Sequence, residues 1–247
     1  MLTDWAPLRA ALARCRADNI AVPIWWRDDD AIEQTTALDR LRKLAHELEL
    51  SAHLAVIPAS AKDTLVPVFR DDPRLVPLVH GWTHQNTAPE GHKKSEFGVA
   101  RPDAIDDAAQ GLQHLQDMFG AQLLPVFVPP WNRIDASVVS ELKPLGYGAL
   151  STFGPRSAVT SILQINTHID PIFWRGHRSL VDPDTLIAQT IALLDARRTS
   201  AQDASEPLGF LTHHLVHDTP IWEFSRGFFS EMQSGGATCV TMKDYLK

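Results

Sequence analysis

Two histidines four positions apart, in His80-Gly81-Trp82-Thr83-His84, follow directly on an apolar run. Imidazoles at that spacing can face one metal ion if the chain between them makes a turn, and Gly81 allows a non-helical approach to it. The motif differs from the helical His-Glu-x-x-His of metalloproteases, because Gly81 stands where their glutamate base would be. A second apolar run ends in Arg27-Asp28-Asp29-Asp30. Adjacent carboxylates repel one another unless a cation or guanidinium neutralises them, so this cluster is either a solvated acidic turn or the oxygen ligands and base of a hydrolytic metal site. A third group, Leu211-Thr212-His213-His214-Leu215-Val216-His217-Asp218, is hard to explain by packing alone, since each buried imidazole needs partners for both ring nitrogens. A general acid here would have to be protonated near neutral pH, a state that Asp170 or Asp218 would favour.

Two further segments carry aromatic and stiffening residues. Phe127-Val128-Pro129-Pro130-Trp131-Asn132-Arg133 leaves a predicted strand through two prolines, which would present Trp131 on a rigid loop. Asn166-Thr167-His168-Ile169-Asp170-Pro171-Ile172-Phe173-Trp174 offers an acid, an imidazole and an indole together. Trp82, Trp131 and Trp174 could stack on the apolar faces of sugar rings or pack into the core.

These residues need elements to position them, and the apolar patterning supplies an alternation. Short apolar runs predict strands over 21–26, 52–57, 75–79, 123–128, 149–152, 162–165, 208–212 and 238–242, and helical spacing predicts helices over 37–48, 103–118, 136–142, 185–197 and 221–232. Within residues 1–20, Trp5, Leu8, Leu12 and Cys15 fall at helical spacing and read as a lead-in helix. The polar stretch 86–95, with Pro89 and Gly91, reads as a long loop, which in a compact domain is more often functional than idle. Strands alternating with helices argue for a parallel sheet, and the number of units in 247 residues favours one barrel domain over 1–247. Barrel active sites sit at the C-terminal ends of the strands. Six of the eleven histidines, His80, His84, His168, His213, His214 and His217, follow predicted strands and would meet at one mouth.

Charge and composition set outer limits. With 23 Lys plus Arg against 30 Asp plus Glu the formal charge is −7, which gives no basic footprint for nucleic acid. A content of 44% hydrophobic and 21% charged residues is that of an ordinary globular chain and excludes disorder. No apolar run approaches the roughly 18 residues of a membrane span, and no signal peptide is seen, so a cytoplasmic location is expected. Cys15 and Cys239 form no CxxC pair and read as free thiols.

In this order the motifs resemble those of the polysaccharide deacetylase family, also called carbohydrate esterase family 4 or the NodB-homology fold, and the chain reads as a divergent member. The family order is an Asp-Asp motif, His-x-x-x-His, Arg-x-Pro-aromatic, an Asp/Trp motif and Leu-x-His. Counterparts here are the Asp28–Asp30 cluster, His80 with His84, Pro130-Trp131, Asp170 with Trp174, and Leu211-Thr212-His213. The resemblance implies a distorted (β/α)7 TIM-like barrel and a divalent metal, usually zinc, on one Asp and two His. Carried over, Asp30, His80 and His84 are the metal ligands, Asp29 the base and His213 the acid, with Asp170 as a further catalytic carboxylate. Trp82, Pro130, Trp131 and Trp174 are the candidate substrate contacts. Two frames stay open at the Asp cluster, since Asp28 as base with Asp29 as ligand is the alternative, and His217 is the alternative acid. Val128 stands where the family has the arginine that steadies the base, and Arg27 or Arg133 is the candidate replacement.

The implied chemistry is metal-assisted hydrolysis of an N-acetyl or related acyl group. Asp29 takes the water proton, the backbone N–H at Trp131 helps hold the oxyanion, and His213 protonates the departing amine. A glycan or small-molecule substrate is expected; given the expected location, a sugar intermediate or another small N-acylated compound fits better than a polymer. An amidase acting on non-sugar amides and a non-catalytic carbohydrate-binding relative are the alternatives.

Overall fold

The apolar runs become parallel strands in the computed structural model, which describes residues 3–157 and 160–246. Among the described residues eight strands form one sheet: β1 (Pro23–Ala31), β2 (Ala52–Val56), β3 (Leu75–His80), β4 (Val126–Val128), β5 (Ala149–Leu150), β6 (Leu163–Gln164), β7 (Leu208–Thr212) and β8 (Thr238–Cys239). Their order is β6-β5-β4-β3-β2-β1-β7, with β8 paired to the start of β1, and every pairing is parallel. Beyond β6 the chain bridges Phe153 through Thr167 and Phe210 through Ile169, so the sheet curls back to β7 through isolated bridges instead of a full strand. This is the distorted (β/α)7 barrel that the resemblance implies.

Helices cover the outside: α1 (Ala6–Ala17), α2 (Thr36–Glu47), α3 (Leu65–Asp71), α4 (Ala104–Phe119), α5 (Ala136–Leu142), α6 (Pro183–Arg198) and α7 (Thr219–Ser234). The lead-in helix α1 buries Leu8, Ala11, Leu12 and Cys15. No element is predicted over 65–71, where α3 forms; Pro67 lies in its first turn, where the missing N–H has no helical partner to lose. Both free cysteines lie apart, Cys15 buried and Cys239 half-buried. Among the described residues no helix is long and apolar enough to cross a membrane.

Buried residues divide into an outer layer between sheet and helices and a smaller cluster that includes Trp25, Val76, Leu78, Val126, Val128 and Met242 and fills the barrel. β2 and β3 are buried at every position, as expected for strands covered on both faces. The predicted last strand over 238–242 is shorter: a turn at Met242–Asp244 drops Met242 into the barrel floor, and its N–H donates to His53 Nε2 at 3.0 Å.

Candidate metal centre and active site

Strand alternation governs what β1 presents. Trp25 and Arg27 point into the barrel, while Trp26 packs outward on Phe229 of α7. Strict period two would put Asp28 and Asp30 on the same outward face. A bulge prevents this: Asp28 pairs with Leu54 but Ala31 with Val56, one extra residue on β1, and Asp30 sits there at φ +73°. Asp is among the few side chains that tolerate this left-handed region. Asp30 thereby turns to the barrel mouth, and its Oδ1 lies 3.1 Å from His80 Nε2 and 3.2 Å from His84 Nε2.

One ligand atom from each of Asp30, His80 and His84 lies within 4.8 Å of the others. His80 Nδ1 donates to the Val128 carbonyl at 2.9 Å, which leaves Nε2 as the ring atom facing the Asp30 oxygen, where it holds a proton or, in the neutral ring, offers a lone pair to a metal ion. A proton on Nε2 satisfies this pair without a metal, and a divalent ion that displaces it would be held by the same two atoms. Tetrahedral zinc with bonds near 2.0–2.1 Å spaces its ligand atoms about 3.3 Å apart, close to the separations found. The residues therefore fit a divalent ion. Burial opposes ionisation of Asp30, but the hydrogen bond and charge of His80 outweigh it and hold this carboxyl well below the usual range. His84 is pushed down by burial and by the neighbouring His80.

The His80–His84 segment is a loop wrapped around one carboxylate that the motif reading did not single out. Glu96 is buried and accepts from the backbone N–H of Trp82 (3.3 Å), Thr83 (2.7 Å) and His84 (3.2 Å) and from the Thr83 hydroxyl (2.8 Å). Gly81 lies at φ +59°, and a Cβ there would fall 2.4 Å from Glu96 Oε2 and 2.6 Å from the Pro130 ring, so only glycine fits between the two histidines. Glu96→Ala orphans these donors and frees His84. Its metal affinity is expected to fall by about 10–100-fold, measured by competition with a chelating dye, whereas unchanged affinity would deny Glu96 this role.

Asp29 points into the barrel beside Arg27. Nε of the guanidinium lies 2.8 Å from Asp29 Oδ1, and Nη2 donates to Oδ2 at 3.0 Å. Arg27 also donates to Asn132 Oδ1 (2.7 Å) and to the Ser151 hydroxyl (2.8 Å), so it is fully buried and held from three sides. Arg133 instead donates to the Lys94 carbonyl at 2.6 Å. Of the two replacements considered for the missing third-motif arginine, Arg27 is the one on the carboxylate. Asp28 faces the opposite way, toward Thr212 and His214, which removes it from the mouth and leaves Asp29 and Asp30 as the pair there.

Across the cavity, His213 packs edge-on against Trp174 at 4.7 Å between centroids, and the Trp174 indole donates to Asp170 at 2.7 Å. Burial pushes the Asp170 carboxyl up, against the pull of His213. His217 lies behind, its ring 4.6 Å from Trp222 and its Nε2 accepting from the His213 N–H. Burial takes the His217 pKa to about 4, so near neutral pH it is not the imidazolium a general acid needs, and His213, which lines the cavity, is the better placed imidazole.

A cavity of about 630 Å³ at the C-terminal ends of the strands joins Asp29, Asp30, His80, His84, Trp131, Asp170, Trp174 and His213, with Asn132, Arg133, Phe153, Arg178 and Leu211 completing its wall. A second cavity, of about 670 Å³, lies at the N-terminal ends of β4–β6 and has neither carboxylate nor imidazole on its wall. Trp131 and Asn132 both take left-handed backbone near φ +56°, and the Trp131 ring packs tilted against His84 at 4.5 Å between centroids.

Four expectations need correction. Trp82 does not line the cavity; it packs half-buried against the outer core and His114 of α4, because the loop carrying it is folded inward onto Glu96. Pro130 is buried behind the mouth against Gly81. His168 is also not at the mouth: it lies beside the first half of β7, where Gly209 N–H donates to its Nδ1 at 3.1 Å. His214 and His217 sit in the layer behind, so three of the six histidines, and not all of them, reach the cavity.

No protein-family model and no curated protein matches this chain. Solved structures do match it over most of its length. A Mycobacterium smegmatis protein assigned as a polysaccharide deacetylase is 14% identical, with 92% of this chain and 89% of that chain covered at a TM-score of 0.65. A family 4 acetyl xylan esterase from Clostridium thermocellum, solved with a cobalt ion, is 14% identical with 90% and 89% covered at 0.53. A pseudoenzyme of the same esterase family from Bacillus anthracis is 14% identical with 92% and 66% covered at 0.60. The fold is that of the polysaccharide deacetylases, at a sequence distance that makes this chain a divergent bearer of it.

Proposed function

We propose that this protein is a divergent polysaccharide deacetylase, a metal-dependent hydrolase that removes an N-acetyl or related acyl group from a carbohydrate or sugar-like substrate. The observation that carries the reading is one cavity with a metal-ligand triad at its centre, an arginine-held carboxylate on one side and an imidazole with its own carboxylate and indole on the other. Asp30, His80 and His84 would hold the ion, with zinc proposed because one carboxylate and two imidazoles suit it. When bound, such an ion polarises an acyl oxygen and makes a water more acidic.

Asp29 accepts the proton of the attacking water, and Arg27 keeps its carboxylate aimed into the cavity. The Trp131 N–H donates to the developing oxyanion. His213 gives its proton to the departing amine nitrogen, and Trp174, held by Asp170, packs against its ring. Phe153 and Trp174, both exposed at the rim, offer apolar faces to a sugar ring. Since a guanidinium steadies Asp29 despite Val128, the sequence motive for a non-catalytic reading weakens.

Amine release from a panel of N-acetylated sugars and simple amides tests the function, with metal content measured on the same preparation. His213→Ala is expected to keep its metal and lose turnover by about 10²–10⁴-fold. Full activity in that variant would move the acid elsewhere, and release from simple amides alone would favour an amidase.

A further inference from the structure

We propose that Asp28 is a positioning residue whose single carboxylate pins both chain neighbours of His213 and so sets that imidazole against Asp29, the next residue on β1. The inference rests on His213 being the acid, as argued above. Asp28 is fully buried on the outward face of β1, in a layer it shares with Trp26. An apolar side chain would suit that layer, and a carboxylate is costly there unless its oxygens are satisfied.

They are satisfied by the two residues that flank His213. Oδ2 accepts from the Thr212 hydroxyl at 2.5 Å and from the His214 N–H at 3.0 Å, and Oδ1 takes His214 Nδ1 at 2.5 Å. The Trp26 indole donates to the same Thr212 oxygen at 2.7 Å, which leaves the hydroxyl proton to point at Asp28. The pairing of β7 with β1 ends at Thr212, opposite Asp28, and His213 then leads at φ −144° into a single turn over His214–Val216. Beyond the last ladder pair the peptide carrying His213 is thus tied at both ends to one side chain, and the chain of that side chain continues directly into Asp29. Base and acid lie on strands 184 residues apart in sequence yet share one fixed reference, the Asp28 carboxylate.

The test compares metal-loaded parent and variants on 4-nitrophenyl acetate and 4-nitroacetanilide, which carry the same acyl and aryl groups but release 4-nitrophenolate and, after protonation of the nitrogen, 4-nitroaniline. Nitrophenolate departs without an acid, whereas the anilide needs one. Asp28→Leu is expected to lower kcat on the anilide on the order of 10²-fold with metal content unchanged and to spare the ester. Asp28→Asn keeps an oxygen for Thr212 and the His214 amide, and stays within about threefold on both substrates. In the NMR spectrum the His213 ring signals, identified by their loss in His213→Ala, move in Asp28→Leu while those of His80 and His84 stay. Equal losses on both substrates, or a His213 signal that does not move, would overturn the proposal. Failure of the acid assignment looks different, since His213→Ala would then fail to discriminate ester from anilide. If Asp28→Leu does not fold, His214→Ala removes one of the three contacts and is expected to show a smaller loss with the same preference, and an equal loss on both substrates there overturns the proposal as well.

Discussion

Asp30→Asn is expected to leave the protein folded, with less than about a tenth of the parent's divalent metal and a kcat/KM at least about 10³-fold lower, since Lewis-acid assistance supplies several kcal/mol of transition-state stabilisation. Asn matches Asp in size and in tolerance of φ +73°, so the bulge on β1 survives the exchange. What is lost is the one anionic ligand among Asp30, His80 and His84, and with it the charge that two neutral imidazoles cannot supply. Elemental analysis after dialysis against excess zinc, followed by a melting curve with and without added zinc, separates the two effects. Zinc should raise the parent's Tm and leave that of Asp30→Asn where it was. A variant that retained both the ion and turnover would remove Asp30 from the centre.

That Asp30 and not Asp28 faces the cavity was only half legible in the sequence. Spacing and strand ends pointed to His80, His84 and His213, which the structure brings to one cavity, because a parallel barrel delivers whatever follows its strands to one mouth. The bulge at Asp30 leaves no periodic trace, since three successive Asp read the same in either frame, and only φ +73° turns the third one inward. Glu96 escaped for a similar reason. It serves backbone N–H groups across the 12 to 14 residues that separate it from Trp82, Thr83 and His84, and no motif records a partner that recognises main chain. Trp82 misled in the other direction: it lies inside a reactive motif, but the tight loop around Gly81 turns its ring to the outer core. His168 follows β6 in sequence, yet the irregular bridges at Thr167 and Ile169 carry it alongside β7 before any loop begins.

Arg27→Met should be the most damaging single change outside the metal ligands. Asp29 is 2% exposed, and without the guanidinium its charge is buried with no counter-ion, a loss of about 3–5 kcal/mol for a pair broken from one side. For a chain of this size that corresponds to a fall in Tm of roughly 10 °C. Turnover should fall more steeply than stability, because a carboxylate no longer held by Arg27, itself anchored on Asn132 and Ser151, is free to swing from the cavity. Arg27→Lys is expected to recover part of the stability and little activity, as an ammonium cannot reach Asp29, Asn132 and Ser151 together as the planar fork does. The double variant Arg27→Met/Asp29→Asn removes the orphan charge and should regain most of the lost Tm while remaining inactive. That divergence of stability and turnover is the signature of a base held by its arginine. If Arg27→Met instead kept its Tm and its rate, the strand that carries the acidic cluster would not be supplying the guanidinium that Val128 cannot.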